Sequence, residues 1–407
     1  MQFDGITWPP FRGIQDGEYK LKRTKDALAV LGNPHEKLSN IIHIAGTNGK
    51  GSVSAFLQNV LNEYGFSCNV YTSPHLVKVN ERIKIHSQDI SDDMILQYTK
   101  EVYYILKNTG LENSLTFFEG ITVVMFYIFA KEKADFNIIE VGLGGRWDAT
   151  NVITQPLLSI ITSISLDHQD YLGDTLEAIA VEKCEIIKPH SNAVIGFQEK
   201  ESIYDVFRNK CNNIGAIHSV CSELEFFNNK LDNSYQKQNA TLTLKALEVI
   251  SKMISVEFKR QKCVDIIANT QWRGRMQKVF LGEFNREILV DCAHNFGGIY
   301  QFLQYIKTQN GTRVLILGML KRKINQQIYE EINKALYRGE IENVITVNFG
   351  GTEECVNSQT LADFINHKNC IPAENFHNAL LLAGKFDSVF LCGSIYMVGD
   401  FFQTFSI

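Results

Sequence analysis

The chain has 407 residues, 45% of them hydrophobic and 21% charged, which suits a globular protein of two or three domains. A formal net charge of −5 gives no polybasic face for nucleic acid, and the longest apolar run, 121–130, is too short to span a bilayer. Nine cysteines are scattered without a C-x-x-C pair, and no basic-then-apolar leader follows Met1, so a cytoplasmic protein with reduced thiols is expected.

In chain order, residues 20–31 pattern as a helix that Gly32 and Pro34 stop. A short buried strand, 41–45, leads through a glycine-rich loop into a helix from Lys50 to about Tyr64. A strand at 67–73 and an alternating segment at 81–86 follow, the latter an edge strand or hairpin. Helices are expected at about 91–108 and 117–131, then fully buried strands at 136–142 and 157–165 and a helix over 174–187. The segment 190–235 is weakly patterned, and helices resume at about 237–254 and 261–268. Beyond the W-R-G-R at 272–275, strands at 287–291, 313–318, 342–347 and 387–392 alternate with helices, which implies a second parallel sheet. The short basic run Lys321–Arg322–Lys323 reads as a solvated turn.

The stretch H-I-A-G-T-N-G-K-G-S, 43–52, departs from a Walker loop: Ile44 stands at the first glycine position and Gly51 separates Lys50 from Ser52. The physics of a phosphate cradle is nevertheless present. Gly46, Gly49 and Gly51 allow close backbone approach, the N–H groups from Asn48 to Ser52 open a helix, and Lys50 adds a point charge. A glycine-rich turn without a ligand is the alternative.

Further segments follow in a fixed order: T-S-P-H-L-V-K-V-N-E-R-I (72–83), T-F-F-E-G (116–120), E-V-G-L-G-G-R-W-D-A-T-N (140–151), L-D-H (166–168), A-V-E-K-C-E-I-I-K-P (180–189), D-C-A-H-N (291–295) and G-S-I-Y-M-V-G (393–399). With the A-G-T-N-G-K loop, they resemble the dihydrofolate synthase/folylpolyglutamate synthase family within the wider Mur ligase group, over nearly the whole chain. The resemblance implies an α/β protein of Mur ligase architecture. A P-loop-type ATPase domain that also binds the pterin would occupy 1–270, and a smaller Rossmann-like domain for glutamate would occupy 271–407.

The activity implied is an ATP-dependent ligase. The γ-phosphoryl group goes to the carboxylate of 7,8-dihydropteroate, and the acyl phosphate is attacked by the amine of L-glutamate to give dihydrofolate. Tetrahydrofolate would be extended by γ-glutamates. A folylpolyglutamate synthase without dihydropteroate activity, a cell-wall Mur ligase and a nucleotide-binding relative without catalysis are the competing readings. A monomer acting on these small molecules, without nucleic-acid or membrane partners, is expected.

By the same resemblance, ATP is bound by Asn48, Gly49, Lys50, Gly51, Ser52, Asn239, Arg275 and Asp291, with the nucleoside end between the domains. A first Mg²⁺ maps onto Ser73, Glu140 and His168, and a second onto a carbamylated Lys183. Lys50, Lys183 and His294 are the catalytic residues implied; Asn295, Ser394 and Tyr396 fall near glutamate or the phosphates. Thr116, Phe117, Phe118, Glu119, Trp147, Asp148 and Ala149 match dihydropteroate contacts.

Read from the residues alone, several stay open. Glu140 at a strand end could be salt-bridged, His168 could be structural, Lys183 could be a surface lysine, and either phenylalanine could be plain core. Glu18 stands where the family has aspartate. After L-G-M-L (317–320) the family's Asp-Lys-Asp reads Arg322–Lys323–Ile324, so both acidic positions are lost.

Overall fold

The computed structural model describes residues 1–10, 19–221, 223–224, 231, 234–350 and 354–407; Glu18 lies outside them. The chain packs as two compact units. The first takes most of the chain up to Thr270, and the second takes Gln271–Ile407 together with Ser165–Asp167 and Tyr235.

The first unit is built on eight strands: β1 (Ile41–Ala45), β2 (Cys68–Tyr71), β3 (Ile83–Ile85), β4 (Gln88–Asp89), β5 (Phe136–Glu140), β6 (Leu158–Ile161), β7 (Asn192–Ile195) and β8 (Ile217–Val220). Their order is β8-β7-β6-β1-β5-β2-β3-β4, parallel as far as β2 and antiparallel for the last two pairings. Strands β1, β5 and β6 are buried throughout, as parallel strands covered on both faces must be. Side chains alternate between the faces. Ile42 and Ile44 pack with the helices Lys50–Glu63, Ser234–Ile254 and Arg260–Asn269, whereas Ile41 joins the cluster with Leu28, Val102, Val124 and Phe126.

Register decides where the site can be. Tyr71 of β2 pairs with Ile139 of β5, Glu140 of β5 with Ile44 of β1, and Ala45 of β1 with Ile161 of β6. The loops that begin at Gly46, Thr72, Val141 and Thr162 therefore leave one edge of the sheet together, the carboxyl edge where open α/β sheets place ligands.

The second unit holds β9 (Gln277–Leu281), β10 (Arg286–Val290), β11 (Arg313–Leu317), β12 (Asn343–Val347), β13 (Cys370–Ala373) and β14 (Ser388–Cys392). Their order is β9-β10-β14-β11-β12-β13, with only β9 antiparallel to its neighbour. The core has Ile299, Phe302 and Leu303 on one helix and Ile328 and Ile332 on another, packed with Leu315, Leu317 and Phe390 of the sheet.

The short pairing of Gln2–Phe3 with Ile6–Thr7 and strand β4 were not expected, nor were β7, β8, β9 and β13. The last three are sheet edges with half-exposed side chains, so they carry no apolar run to read. The helix Glu201–Ile214 was missed as well, although Ile203, Phe207 and Cys211 stand four apart and are buried. All nine cysteines carry free thiols. Among the described residues, no helix is long and apolar enough to cross a membrane.

Candidate active site

The loop after β1 is fastened to the end of β6. The Thr47 amide donates to the Ser163 carbonyl at 2.7 Å, and the Ser163 hydroxyl donates to the Asn48 carbonyl at 3.2 Å. Two glycines are forced. Gly46 has φ +150°, and a β-carbon there would stand 1.7 Å from Thr162 Oγ1; Gly49 has φ +92°, and its β-carbon would meet Asn239 Oδ1 at 2.3 Å. Gly51 needs no such freedom, because it already lies in the helix Lys50–Glu63. Ser52 is buried in that helix, and Gln236 Nε2 donates to its hydroxyl at 3.3 Å. Asn239, expected at the nucleoside end of ATP, packs on the glycine-rich loop at Gly49.

Lys50 folds back across this loop. Its Nζ donates to the carbonyls of Gly46 at 3.1 Å and Thr47 at 3.2 Å and lies 3.9 Å from Glu140 Oε1. Glu140 is buried at the carboxyl end of β5. The salt-bridge reading of Glu140 holds, and its cation is the lysine that closes the glycine-rich loop.

Lys183 is buried, not a surface lysine, and its Nζ donates to the Gly46 carbonyl at 2.9 Å. The loop after β5 fixes its helix. A β-carbon on Gly145 would meet the carbonyls of Glu182 at 2.5 Å and Lys183 at 2.9 Å, while Arg146 pairs with Glu182 at 3.1 Å. From the other side the Lys188 ammonium donates to Asn151 Oδ1 at 2.7 Å; burial lowers the Lys188 pKa to about 8. Half-buried Ser73 follows β2 at the same sheet edge. His168, in the loop after β6, is exposed with φ +53°.

Around the aromatic pair, the side chains divide. Phe118 lays its ring on Gly142, whose β-carbon would be 2.3 Å from it, and stands 6.2 Å from the Tyr71 ring. Phe117 carries the Arg82 guanidinium 5.5 Å from its centroid. Both rings and Trp147 stay half-exposed. Thr116, Glu119, Asp148 and Ala149 are buried. Thr116 and Glu119 form the capping box of the helix Phe117–Lys131, and Glu119 also takes Arg23 at 2.6 Å. Asp148 accepts from the amides of Leu143 and Thr150 and from the Thr150 hydroxyl, so it ties the loop together; burial raises its pKa.

Arg82, outside the expected set, stands beside Phe117. Arg82 is buried and its Nε donates to His75 Nδ1 at 2.8 Å, and desolvation followed by the Arg82 charge lowers the His75 pKa to about 4. Glu81 accepts from the amides of Leu76, Val77 and Lys78 and so shapes the loop that carries His75. The signal was the N-E-R-I that follows S-P-H-L, quoted above without assigned roles.

In the second unit, Asp291 is fully engaged. Its carboxylate accepts from the Tyr235 hydroxyl at 2.7 Å and the amides of Met276 at 2.9 Å and Ala293 at 2.8 Å. Asp291 therefore shapes the turn next to half-buried Arg275. His294 Nδ1 lies 2.8 Å from the Cys292 carbonyl. Asn295 and Ser394 cap the helices Phe296–Ile306 and Ile395–Thr404, and Tyr396 remains exposed. Lys321–Arg322–Lys323 is not simply a solvated turn: Arg322 is exposed and pairs with Glu354 at 3.1 Å, but Lys323 is buried against Asp167.

Comparison with known proteins places this geometry. The Mur ligase middle domain model matches residues 44–259. A dihydrofolate synthase/folylpolyglutamate synthase of Bacillus subtilis (strain 168) is 31% identical over 350 residues, 79% of each chain. The chain belongs to the dihydrofolate synthase/folylpolyglutamate synthase family of Mur ligases. It is accordingly an ATP-dependent carbon–nitrogen ligase. A probable dihydrofolate synthetase of Schizosaccharomyces pombe (strain 972) is 28% identical across 94% of this chain and 97% of its own. The structure of E. coli FolC in complex with DHPP and ADP superposes with a TM-score of 0.80 at 25% identity, covering 95% of this chain and 93% of that one.

Proposed function

We propose that the chain joins L-glutamate to the carboxylate of 7,8-dihydropteroate through an acyl phosphate, and that it also extends tetrahydrofolate by γ-glutamates. The observation that supports this best is the closeness of Lys50, Glu140 and the phosphate loop at the edge that also carries the Phe118 face on Gly142. A phosphate cradle and an aromatic wall leave the same sheet edge, as phosphorylation of an aryl carboxylate requires.

In this reading the amides opening the helix Lys50–Glu63 and the Lys50 ammonium hold the β- and γ-phosphates of ATP. Asn239 fixes the loop from above Gly49. Phe118 and Phe117 bound the pterin and aminobenzoate rings, with Arg82 and Trp147 beside them. Glu119, Asp148 and Thr116 act one step back by holding the two segments in place. Arg275 serves ATP from its own unit, and His294 serves glutamate.

The donor set fits Mg²⁺. Among the described residues there is no cluster of three or more His, Cys, Asp or Glu side chains. Mg²⁺ is satisfied by one carboxylate, other hard oxygens and water, which matches the buried Glu140 and the Ser73 hydroxyl at one edge. Ser73, Glu140 and His168 would hold one ion, and Lys183, as a carbamate, would help hold a second. Bound there, Mg²⁺ would neutralise phosphate charge and polarise the γ-phosphoryl group.

The test is ADP release by the purified protein with ATP, Mg²⁺ and glutamate plus either dihydropteroate or tetrahydrofolate. Turnover that depends on glutamate with both acceptors is expected. Turnover with tetrahydrofolate alone would reduce the chain to a folylpolyglutamate synthase, and none with either would leave a nucleotide-binding relative.

A further inference from the structure

The departure at Arg322–Lys323–Ile324 has a structural outcome. Arg322 and Ile324, at the two lost acidic positions, are exposed, and Arg322 pairs with Glu354. Only the central lysine turns inward. Lys323 Nζ binds Asp167 Oδ1; both side chains are largely buried, at 13% and 9% exposed. Ser165–Asp167 packs with the second unit, so this pair lies within that unit.

Two more side chains converge on the same carboxylate. Asn295 Nδ2 donates to Asp167 Oδ2 at 3.1 Å, and His294 Nε2 lies 3.7 Å from that oxygen. The other ring nitrogen settles the tautomer. His294 Nδ1 is 2.8 Å from the Cys292 carbonyl, and a carbonyl can only accept, so Nδ1 carries hydrogen. In the neutral ring, Nε2 then holds a lone pair.

We propose that Asp167 and Lys323 are positioning residues that present His294 Nε2 as the acceptor for the ammonium proton of glutamate. This rests on the ligase reading above. Glutamate arrives with a protonated amine, which cannot attack. Nε2 takes one proton and frees the nitrogen lone pair. Nitrogen bonds the acyl carbon, the carbon–oxygen bond to the phosphoryl group breaks, and its electron pair stays on phosphate. Phosphate leaves with the second proton.

The charges around the ring suit a base that must be neutral before this step and cationic after it. Asp167 stabilises the imidazolium once formed. The Lys323 ammonium engages the opposite oxygen and so fixes the carboxylate beside the ring. Arg322 and Glu354 satisfy each other on the exposed side.

Hydroxylamine separates this role from a structural one, because its nitrogen is already neutral at neutral pH and needs no base. The intact enzyme is assayed with ATP, Mg²⁺ and dihydropteroate, plus either saturating glutamate or hydroxylamine. For Asp167→Asn and Lys323→Met, amide formation should fall about 100-fold, whereas hydroxamate formation should fall by no more than about threefold. The deficit should narrow as pH rises and more glutamate is free amine, and Lys323→Arg should recover most of the rate. Equal losses of amide and hydroxamate, or unchanged amide formation, would overturn the proposal. Failure of the wild-type enzyme to form hydroxamate would instead overturn the ligase reading.

Discussion

Replacing Lys50 by Met should expose the cost of leaving Glu140 buried. The Lys50 ammonium stands 3.9 Å from Glu140 Oε1, and the two side chains are 15% and 5% exposed. At an effective dielectric of about 20, unit charges at that separation attract by roughly 4 kcal/mol. Removing one member of such a pair leaves the other's buried charge less well compensated, and the net penalty is about 3 kcal/mol. Met keeps most of the apolar stem, so the loss is electrostatic. In a unit of this size, that corresponds to a fall in Tm of roughly 6–10 °C.

Adding Glu140→Gln should then restore most of the lost stability, because the under-compensated buried charge is gone. It should not restore catalysis, since both groups serve the phosphates; turnover should stay about 100- to 1000-fold down in each variant. Thermal unfolding without nucleotide and ADP release with saturating substrates measure the two effects. If Lys50→Met melts with the wild type, or the double variant melts no higher than the single one, the two charges do not interact as described.

Other outcomes follow from neighbouring features. His43 is fully buried, and desolvation lowers its pKa from 6.5 to about 3. Between those values the unfolded chain binds a proton that the folded chain lacks, so stability should fall as pH drops through that window, by on the order of 4 kcal/mol. His43→Gln should flatten that part of the stability curve, and an unchanged slope would remove His43 as the cause. Phe118→Ala should raise KM for dihydropteroate more than for tetrahydrofolate, by about 1 kcal/mol of lost ring packing; equal effects would show one shared ring pocket. Lys183→Ala should be inactive and partly rescued by a short carboxylate. Intact mass in bicarbonate showing only free amine at Lys183 in an active wild-type preparation would remove the carbamate.

The parts of this fold that were legible in the sequence are those with a strong local cause. Strands β1, β5 and β6 are runs dominated by Ile, Leu and Phe because both faces are covered, and the helix Phe117–Lys131 follows a Thr116–Glu119 capping box. Edge strands such as β8 and β9 have no such cause; their pairing comes from the neighbouring strand. Within the site, glycines at 46 and 49 were readable as close approaches, although what approaches them, Thr162 and Asn239, is distant in sequence.

Motif resemblance singled out segments but did not distinguish exposed side chains from those turned inward. Asp148 and Glu119 stand beside half-exposed Trp147 and Phe118, yet both turn into the protein to satisfy backbone amides. Lys323 shows the converse. In sequence it belongs to a basic run that reads as solvent-facing, and only Asp167, 156 residues away, explains why it is buried.

The account stands or falls on an acyl phosphate formed from ATP and the pteroate carboxylate. Dihydropteroate labelled with ¹⁸O in that carboxylate, incubated with ATP, Mg²⁺ and glutamate, follows the oxygen directly. Each amide bond formed should release one inorganic phosphate carrying one labelled oxygen from the carboxylate. Amide formation with unlabelled phosphate would contradict phosphorylation of the carboxylate, and with it the role given to the loop, Lys50 and Glu140.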